Sequence, residues 1–447
     1  MAASTTAVWE VRTAGSDSNG GYYDASAADG SSVDYSQQDS YQIHDNGAIA
    51  TSTANATVIT VHTSSATVTA AMKGNAVQIL SLIGGTIGFY TVTSVDTGAN
   101  TLTLNGTTSA TGGACTFRLG GAMASPGGAA AGVVAGNTIW VKAATYTFST
   151  NSNVTGGRIS LTVNQIRLQG YSGTRGDDGK PTFTTSTNYA FPLISCTGVL
   201  SSVANFTVNL NSQTSCTGAT GAGRVSIRNC NFTNCGNVSV IQGFSTVDRC
   251  EVTLNSTGNC LASLAQGVLV RRSRFRGASS SNGLGHSGGS VVATFRDCVF
   301  DSLQYGANGN WESSTIIENC VARNCTFGFN NAGTNGPATY INCVADNCTT
   351  PFANSGGSTR KDTLTQCAYR GGTYTAANFS ESGTIIFTAD PFIDAANGDY
   401  SLNATAGGGA ALRQLGNGFY GWSGSTAYPD IGAVQTQISG SVIVVDD

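Results

Sequence analysis

Seven short stretches decide how this chain is read. They are Ile227-Arg-Asn-Cys230-Asn-Phe232, Val247-Asp-Arg-Cys250-Glu-Val252, Val270-Arg-Arg-Ser273-Arg-Phe275, Phe295-Arg-Asp-Cys298-Val-Phe300, Ile317-Glu-Asn-Cys320-Val-Ala322, Tyr340-Ile-Asn-Cys343-Val-Ala345 and Leu364-Thr-Gln-Cys367-Ala-Tyr369. Each holds an apolar residue, two mostly polar ones, a small residue, a variable position and a second apolar residue. Measured at the small residue, the steps are 20, 23, 25, 22, 23 and 24 residues. A repeat of this length marks a stack of short supersecondary units, each burying its apolar side against the next.

Leucine-rich repeats share the period but need several Leu per unit, and these units have almost none. Gly, Ser, Asn and Thr fill the intervals, as tight turns between short strands require. An inward residue on either side of an outward one makes a strand. The apolar residue three positions before the small one then places a corner between two strands. These features predict an all-β right-handed parallel β-helix of roughly nine or ten coils. Equivalent positions stack directly above one another, so Cys230, Cys250, Ser273, Cys298, Cys320, Cys343 and Cys367 form a core ladder of small side chains. Asn234-Cys235, Asn324-Cys325 and Asn347-Cys348 predict a second corner with a ladder of Asn side chains in the left-handed conformation. Metal binding by these thiols is the alternative. Zinc sites use tighter spacing with nearby His, and the 447 residues contain only three His. No metal or cofactor is expected.

Outward from the repeat, Val203-Ala-Asn-Phe206-Thr-Val208 is one more copy, with Phe206 at the ladder position. Gly136-Asn-Thr-Ile-Trp-Val-Lys142 begins the first coil and Ile166–Ser172 the second. Residues 46–122 contain five alternating segments between Gly- and Asn-rich turns, the pattern of a small antiparallel β-domain that serves as an attachment candidate. The expected organisation is therefore an N-terminal segment 1–45, the antiparallel domain 46–122, the β-helix 123–385 and a C-terminal cap 386–447. Gly120–Gly132 reads as a linker or as a segment closing the first coil.

Composition narrows the function. Charged residues make up 10% of the chain and the net charge is −4, which excludes a general nucleic-acid binder. There is no apolar run of ~18 residues, the length a membrane-crossing helix needs. The opening Met1–Glu10 lacks the basic start and apolar core of a secretory signal, so folding in a cytosol is expected.

The coils hold few acids. Asp297, Glu312 and Glu318 are weak catalytic candidates, with Asp297 and Glu318 on neighbouring coils one position out of register. A hydrolase needs two carboxylates roughly 5–10 Å apart. Gly176-Asp177-Asp178-Gly179 has too few ligands for a calcium loop and reads as a turn. The basic residues Arg228, Arg249, Arg272, Arg274, Arg276 and Arg296 form a candidate binding stripe, suited to a carboxylate-bearing partner or an anionic glycan. The same stripe also reads as a solubilising face.

A resemblance adds to this reading. The opening Trp9-Glu-Val-Arg-Thr-Ala-Gly-Ser-Asp-Ser-Asn-Gly-Gly21, the Gly136–Lys142 coil, the Cys-bearing coils and the ending Tyr428-Pro-Asp-Ile-Gly-Ala-Val434 together resemble right-handed parallel β-helix repeat proteins, the pectate-lyase-like family. Trp9 with Asp34-Tyr-Ser-Gln-Gln38, followed by a β insertion, is similar to the variant among tailed-bacteriophage virion structural proteins. The resemblance implies a non-enzymatic structural protein on the virion surface, as a capsid decoration protein or tail spike or fibre component, assembled in the host cytoplasm. Its implied partners are other capsid or tail proteins, further copies in a homotrimer, and a host-surface glycan. A glycan depolymerase of the same fold and a bacterial surface adhesin are the competing expectations.

Overall fold

The computed structural model describes residues 3–415 and Gly432, except for 46–47, 50–56, 84, 109–112, 150–157, 186–187, 189–191, 237–238, 264–266, 286–291, 310–314, 334–335, 357–360 and 414. The ending at Tyr428–Val434 therefore lies outside the described residues, apart from Gly432. The chain divides into two units, residues 1–211 with 215–230, and residues 212–214 with 231–447.

In the first unit, parallel strands form three faces. The first face runs through Val8–Val11, Thr138–Lys142, Arg167–Tyr171, Ser202–Ala204 and Ser226–Arg228. The second comprises Thr145–Phe148, Thr182–Thr185 and Thr207–Asn209, and the third Ile159–Leu161, Ile194–Cys196 and Ala219–Gly221. The N-terminal segment thus contributes a strand to the β-helix, whereas the sequence placed the first coil at Gly136. Its register pairs Trp9 with Ile139, and Trp9 is fully buried, its Nε1 donating to Asn137 Oδ1 at 3.1 Å. A link spanning well over a hundred residues leaves no local sequence signal.

A short helix, Pro126–Gly132, begins at the capping hydroxyl of Ser125, which accepts from Gly128 N, with Pro at the first helical turn, where no donor is lost. Its buried side packs against Val8–Val11, Thr138–Lys142 and Ile159–Leu161, so this segment closes the first coil. Between these strands lies the antiparallel sheet, ordered Ile43–Asp45, Gly113–Leu119, Ala76–Leu82, Gly88–Asp96, Thr101–Leu104 and Val58–Thr60. Alternating residues such as Val77, Ile79, Tyr90, Val92, Leu102 and Phe117 fill its own core.

The second unit repeats the three-faced coil. Its first face contains Thr246–Asp248, Val268–Arg271, Ala293–Arg296, Ile316–Glu318, Thr339–Ile341, Asp362–Thr365 and Phe379–Ser382. The second contains Asn231–Cys235, Glu251–Leu254, Arg274–Arg276, Val299–Asp301, Val321–Arg323, Val344–Asp346, Ala368–Arg370 and Ile385–Ile386. The third contains Ser239–Gln242, Gly258–Ala262, Ser281–Gly285, Tyr305–Gly309, Phe327–Asn331 and Thr350–Asn354.

The ladder residues are buried from Cys250 to Cys367. Successive rungs are joined by backbone hydrogen bonds. Val321 N donates to Cys298 O, Val344 N to Cys320 O and Ala368 N to Cys343 O. None of the thirteen cysteines forms a disulfide, and all are buried. Their thiols donate to nearby carbonyls, usually two residues back: Cys298 to Arg296 O, Cys320 to Glu318 O and Cys367 to Thr365 O, at 3.3–3.6 Å. Ser273 does the same, to Arg271 O at 2.8 Å. The ladder therefore selects a small side chain that can also donate.

The residue before each rung turns the corner. Arg249, Arg272, Asp297, Asn319, Asn342 and Gln366 all have φ between 48° and 56°. For a non-glycine residue this left-handed backbone costs roughly 1–2 kcal/mol. Side-chain bonds between coils offset part of it, each contributing about 1 kcal/mol: Asn342 donates to Asn319 Oδ1 and Asn319 to Asp297 Oδ1. The second corner behaves likewise. Asn324 and Asn347 share φ near 52–53° and a 2.8 Å amide bond, and Asn255 donates to Asn234 Oδ1.

Candidate functional site

Outward positions on the coils carry the polar chemistry. On the first face of the second unit, Asp248 is nearly buried and receives both Arg272, at 2.7 and 2.9 Å, and Arg271, at 3.3 Å. Arg296 binds Glu318 at 2.8 Å, directly across the strand pair. Asp297 follows at the corner, and its backbone N–H donates to Glu318 O at 3.2 Å. The two acids are thus neighbours, as their spacing predicts, but each carboxylate has a partner: Arg296 for Glu318, and Asn319 Nδ2 at 3.2 Å for Asp297. Burial raises the pKa of Asp297. Glu312 lies outside the described residues.

The five candidate arginines of the second unit do not form one stripe. Arg228 is in the first unit and exposed. In the second unit Arg249 and Arg272 occupy a corner, Arg296 the first face, and Arg274 and Arg276 the second. The corner turns the chain between Arg272 and Arg274, so strand alternation does not carry across it. Arg228 and Arg249 have no ion-pair partner among the described residues; the other four are paired.

The second face bears a column the sequence reading missed. Three residues past each rung, the outward positions alternate in charge: Arg276, Asp301, Arg323, Asp346 and Arg370. Arg276 meets Asp301 at 3.6 Å, and Asp346, fully buried, lies between Arg323 at 3.3 Å and Arg370 at 2.7 Å. Beside it runs an apolar outward column, Val299, Val321, Val344 and Ala368.

Residues 387–412 cover both columns. Phe387, Phe392, Tyr400, Leu402 and Leu412 pack on the valines. Tyr400 donates its hydroxyl to Asp301 at 2.8 Å, Asp390 binds Arg323 at 3.4 Å, and Arg274 lies over the Tyr400 ring at 5.0 Å and donates to Gly398 O. This described part of the expected cap lies along the outer side of the second face.

The third face differs. One outward column reads Ser239, Asn259, Asn282, Tyr305, Phe327 and Thr350. Asn282 donates to Asn259 Oδ1 at 2.8 Å, and the Tyr305 and Phe327 rings stack at 4.8 Å. No ionisable acid or cation stands in this column.

Among solved structures, the chain is similar to pectate lyase Pel9A, with 16% identity and a TM-score of 0.41, over 71% of this chain and 92% of that one. No family model and no curated protein matches the sequence. The parallel β-helix stands on the strand pairings themselves.

Among the described residues, no three His, Cys, Asp or Glu side chains group to hold a metal ion. Burial pushes the thiols of Cys320, Cys325 and Cys343 well above their usual range. This burial favours the protonated, weakly nucleophilic form. Gly176–Gly179 is a turn around Asp177, whose carboxylate accepts from the backbone N–H groups of Ser172, Gly173, Thr174 and Gly179. Chemically, the charged columns join one coil to the next. A buried carboxylate between two guanidiniums is strongly coupled to both, and losing it strands two cations.

Proposed function

We propose that this chain is a non-enzymatic structural protein on the surface of a tailed-phage particle, a capsid decoration protein or a tail spike or fibre component. The observation that carries the reading is the Arg276–Asp301–Arg323–Asp346–Arg370 column. It commits outward charges to holding coils together and receives residues 387–412 as a fixed covering. The interlocked thiol and Asn ladders support the same reading, since they suit a chain whose role is mechanical persistence. The opening around Trp9 and Asp34–Gln38 supports the virion assignment by resemblance. Other capsid or tail proteins and further copies of the chain are the proposed partners, with a homotrimer as the assembly.

Mass spectrometry of purified particles of the phage that encodes the chain tests this reading. The chain is expected at a stoichiometry of many copies per particle, and its absence from intact particles overturns the proposal. Incubation of the purified protein with bacterial surface polysaccharides is expected to release no reducing ends. Steady release would replace the structural reading with the depolymerase.

A further inference from the structure

The two corners of the second unit set cysteines of neighbouring coils side by side. At the first corner, Cys298, Cys320, Cys343 and Cys367 precede Val299, Val321, Val344 and Ala368, which pair in register on consecutive strands. At the second, Cys325 and Cys348 stand on consecutive coils, where Thr349 N donates to Cys325 O at 3.1 Å. Neighbouring strands lie ~4.8 Å apart, and a disulfide needs Cα atoms about 4.4–6.8 Å apart. The thiols themselves face one another in pairs: Cys320 meets Cys298, Cys325 meets Cys348, and Cys343 meets Cys367.

These pairs follow one another along the coil. Cys298 and Cys320 bridge the first and second of four consecutive coils, Cys325 and Cys348 the second and third, and Cys343 and Cys367 the third and fourth. Bonds at all three pairs would join the four coils without a gap, alternating between the corners. Packing alone asks only for a small side chain that donates, and Ser273 meets that need with a hydroxyl. It does not call for sulfur at every one of these positions.

We propose that these cysteines are an oxidation site, where a peroxide converts the three facing thiol pairs into disulfides that staple the four coils together. In each pair, one sulfur attacks a peroxide oxygen and becomes a sulfenic acid, and its proton leaves with the displaced hydroxide as water. The facing thiol then attacks the sulfenic sulfur, the S–S bond forms, and a second water is released. Two thiols and one peroxide thus give one disulfide and two waters, with sulfur oxidised and the peroxide oxygens reduced. Burial keeps the thiols protonated, so the reaction is slow and bulky reagents are shut out. A peroxide is close to water in size. The chain folds reduced, while the rungs find their register, and hardens afterwards. This chemistry is independent of the particle assignment.

The test is peptide mapping of the full chain, kept reduced, then held overnight with millimolar hydrogen peroxide under native conditions and alkylated in denaturant. Each bond should remove about 2 Da, and the map should join Cys298 to Cys320, Cys325 to Cys348 and Cys343 to Cys367. The oxidised chain should unfold about tenfold more slowly in urea than the reduced chain, and dithiothreitol should restore the faster rate. Cys325→Ser should abolish the middle bond and leave the other two, which separates lost pairing from lost fold. The proposal is overturned if peroxide forms no cross-link in the native chain, or if the cysteines only gain oxygen. It is also overturned if the disulfides are scattered over other cysteines, or if oxidised and reduced chains unfold at the same rate.

Discussion

Two outer faces of the same coils have been put to different uses. The second face of the C-terminal unit carries full charges and an apolar column, and residues 387–412 lie on both. The third face carries amides, stacked rings and an open cavity, and no charges in the outward column from Ser239 to Thr350. Their inward sides are alike: Phe275 and Phe300 stack behind the second face, and Phe329 and Phe352 behind the third. Inward positions therefore set the coil, whereas outward positions decide whether a face is fixed to the chain itself or left for something else.

That contrast predicts which substitutions the fold will tolerate. Asp346→Ala leaves Arg323 and Arg370 facing each other in a buried site, and should destabilise the chain by about 3–5 kcal/mol in urea unfolding. A loss below about 1 kcal/mol, the range of an exposed pair, would mean the column does not hold the coils.

Asp362 gives the next effect. It is fully buried, accepts from Asn331 Nδ2 and Ala338 N, and burial pushes its pKa up from 3.8 to about 6. The protonated form is favoured in the folded state. Its contribution to stability is therefore complete below about pH 4 and is lost as pH rises through 6, a change of about 2–3 kcal/mol. Asp362→Asn should flatten that part of the stability profile and stabilise the chain at pH 7. A variant that retains the parent's slope between pH 4 and 7 would locate the titration elsewhere.

Cys343→Leu tests the ladder that both faces share. It forces a larger side chain between Cys320 and Cys367 and removes a donor to Ile317 O and Ile341 O. A cost of about 1–3 kcal/mol is expected, whereas Cys343→Ser should cost less because Ser273 already fills a rung. An unchanged unfolding midpoint for the Leu variant would mean that the rung is not close-packed.

The smallest effect belongs to the third face. Asn282→Ala removes one amide bond to Asn259 and should cost about 1 kcal/mol or less. If it costs as much as Asp346→Ala, the distinction between a structural face and an available face fails.

The coil was legible because its rule is local. A rung and its flanking inward residues recur within six positions, so Cys298 and Phe300 announce their roles in sequence, as Asn324 and Asn347 do at the second corner, whereas the left-handed backbone at Asn319 came from the structure. The charged column was equally periodic, always three past a rung, but its sign alternates. Attention to arginine alone therefore selected Arg274 and Arg276 and overlooked Asp301, Asp346 and Arg370. Asp297 and Glu318 lie on adjacent coils, and their partners Asn319 and Arg296 are visible only in three dimensions. Nothing near Val8–Val11 announces a parallel partner at Thr138–Lys142. Nor does the stretch around Tyr400 announce Asp301, because these contacts are set by how the chain returns to a face already built. The cavity at Tyr374 arises where the repeat stops, the place a periodic reading cannot describe.

The coil requires the thiols to be internal filler, and counting reactive thiols tests that directly. In the native protein, a thiol reagent should modify none of the thirteen cysteines within minutes, no zinc should be released, and all thirteen should react in denaturant. Rapid labelling of several rungs in the native state, or stoichiometric zinc accompanying their protection, would contradict it.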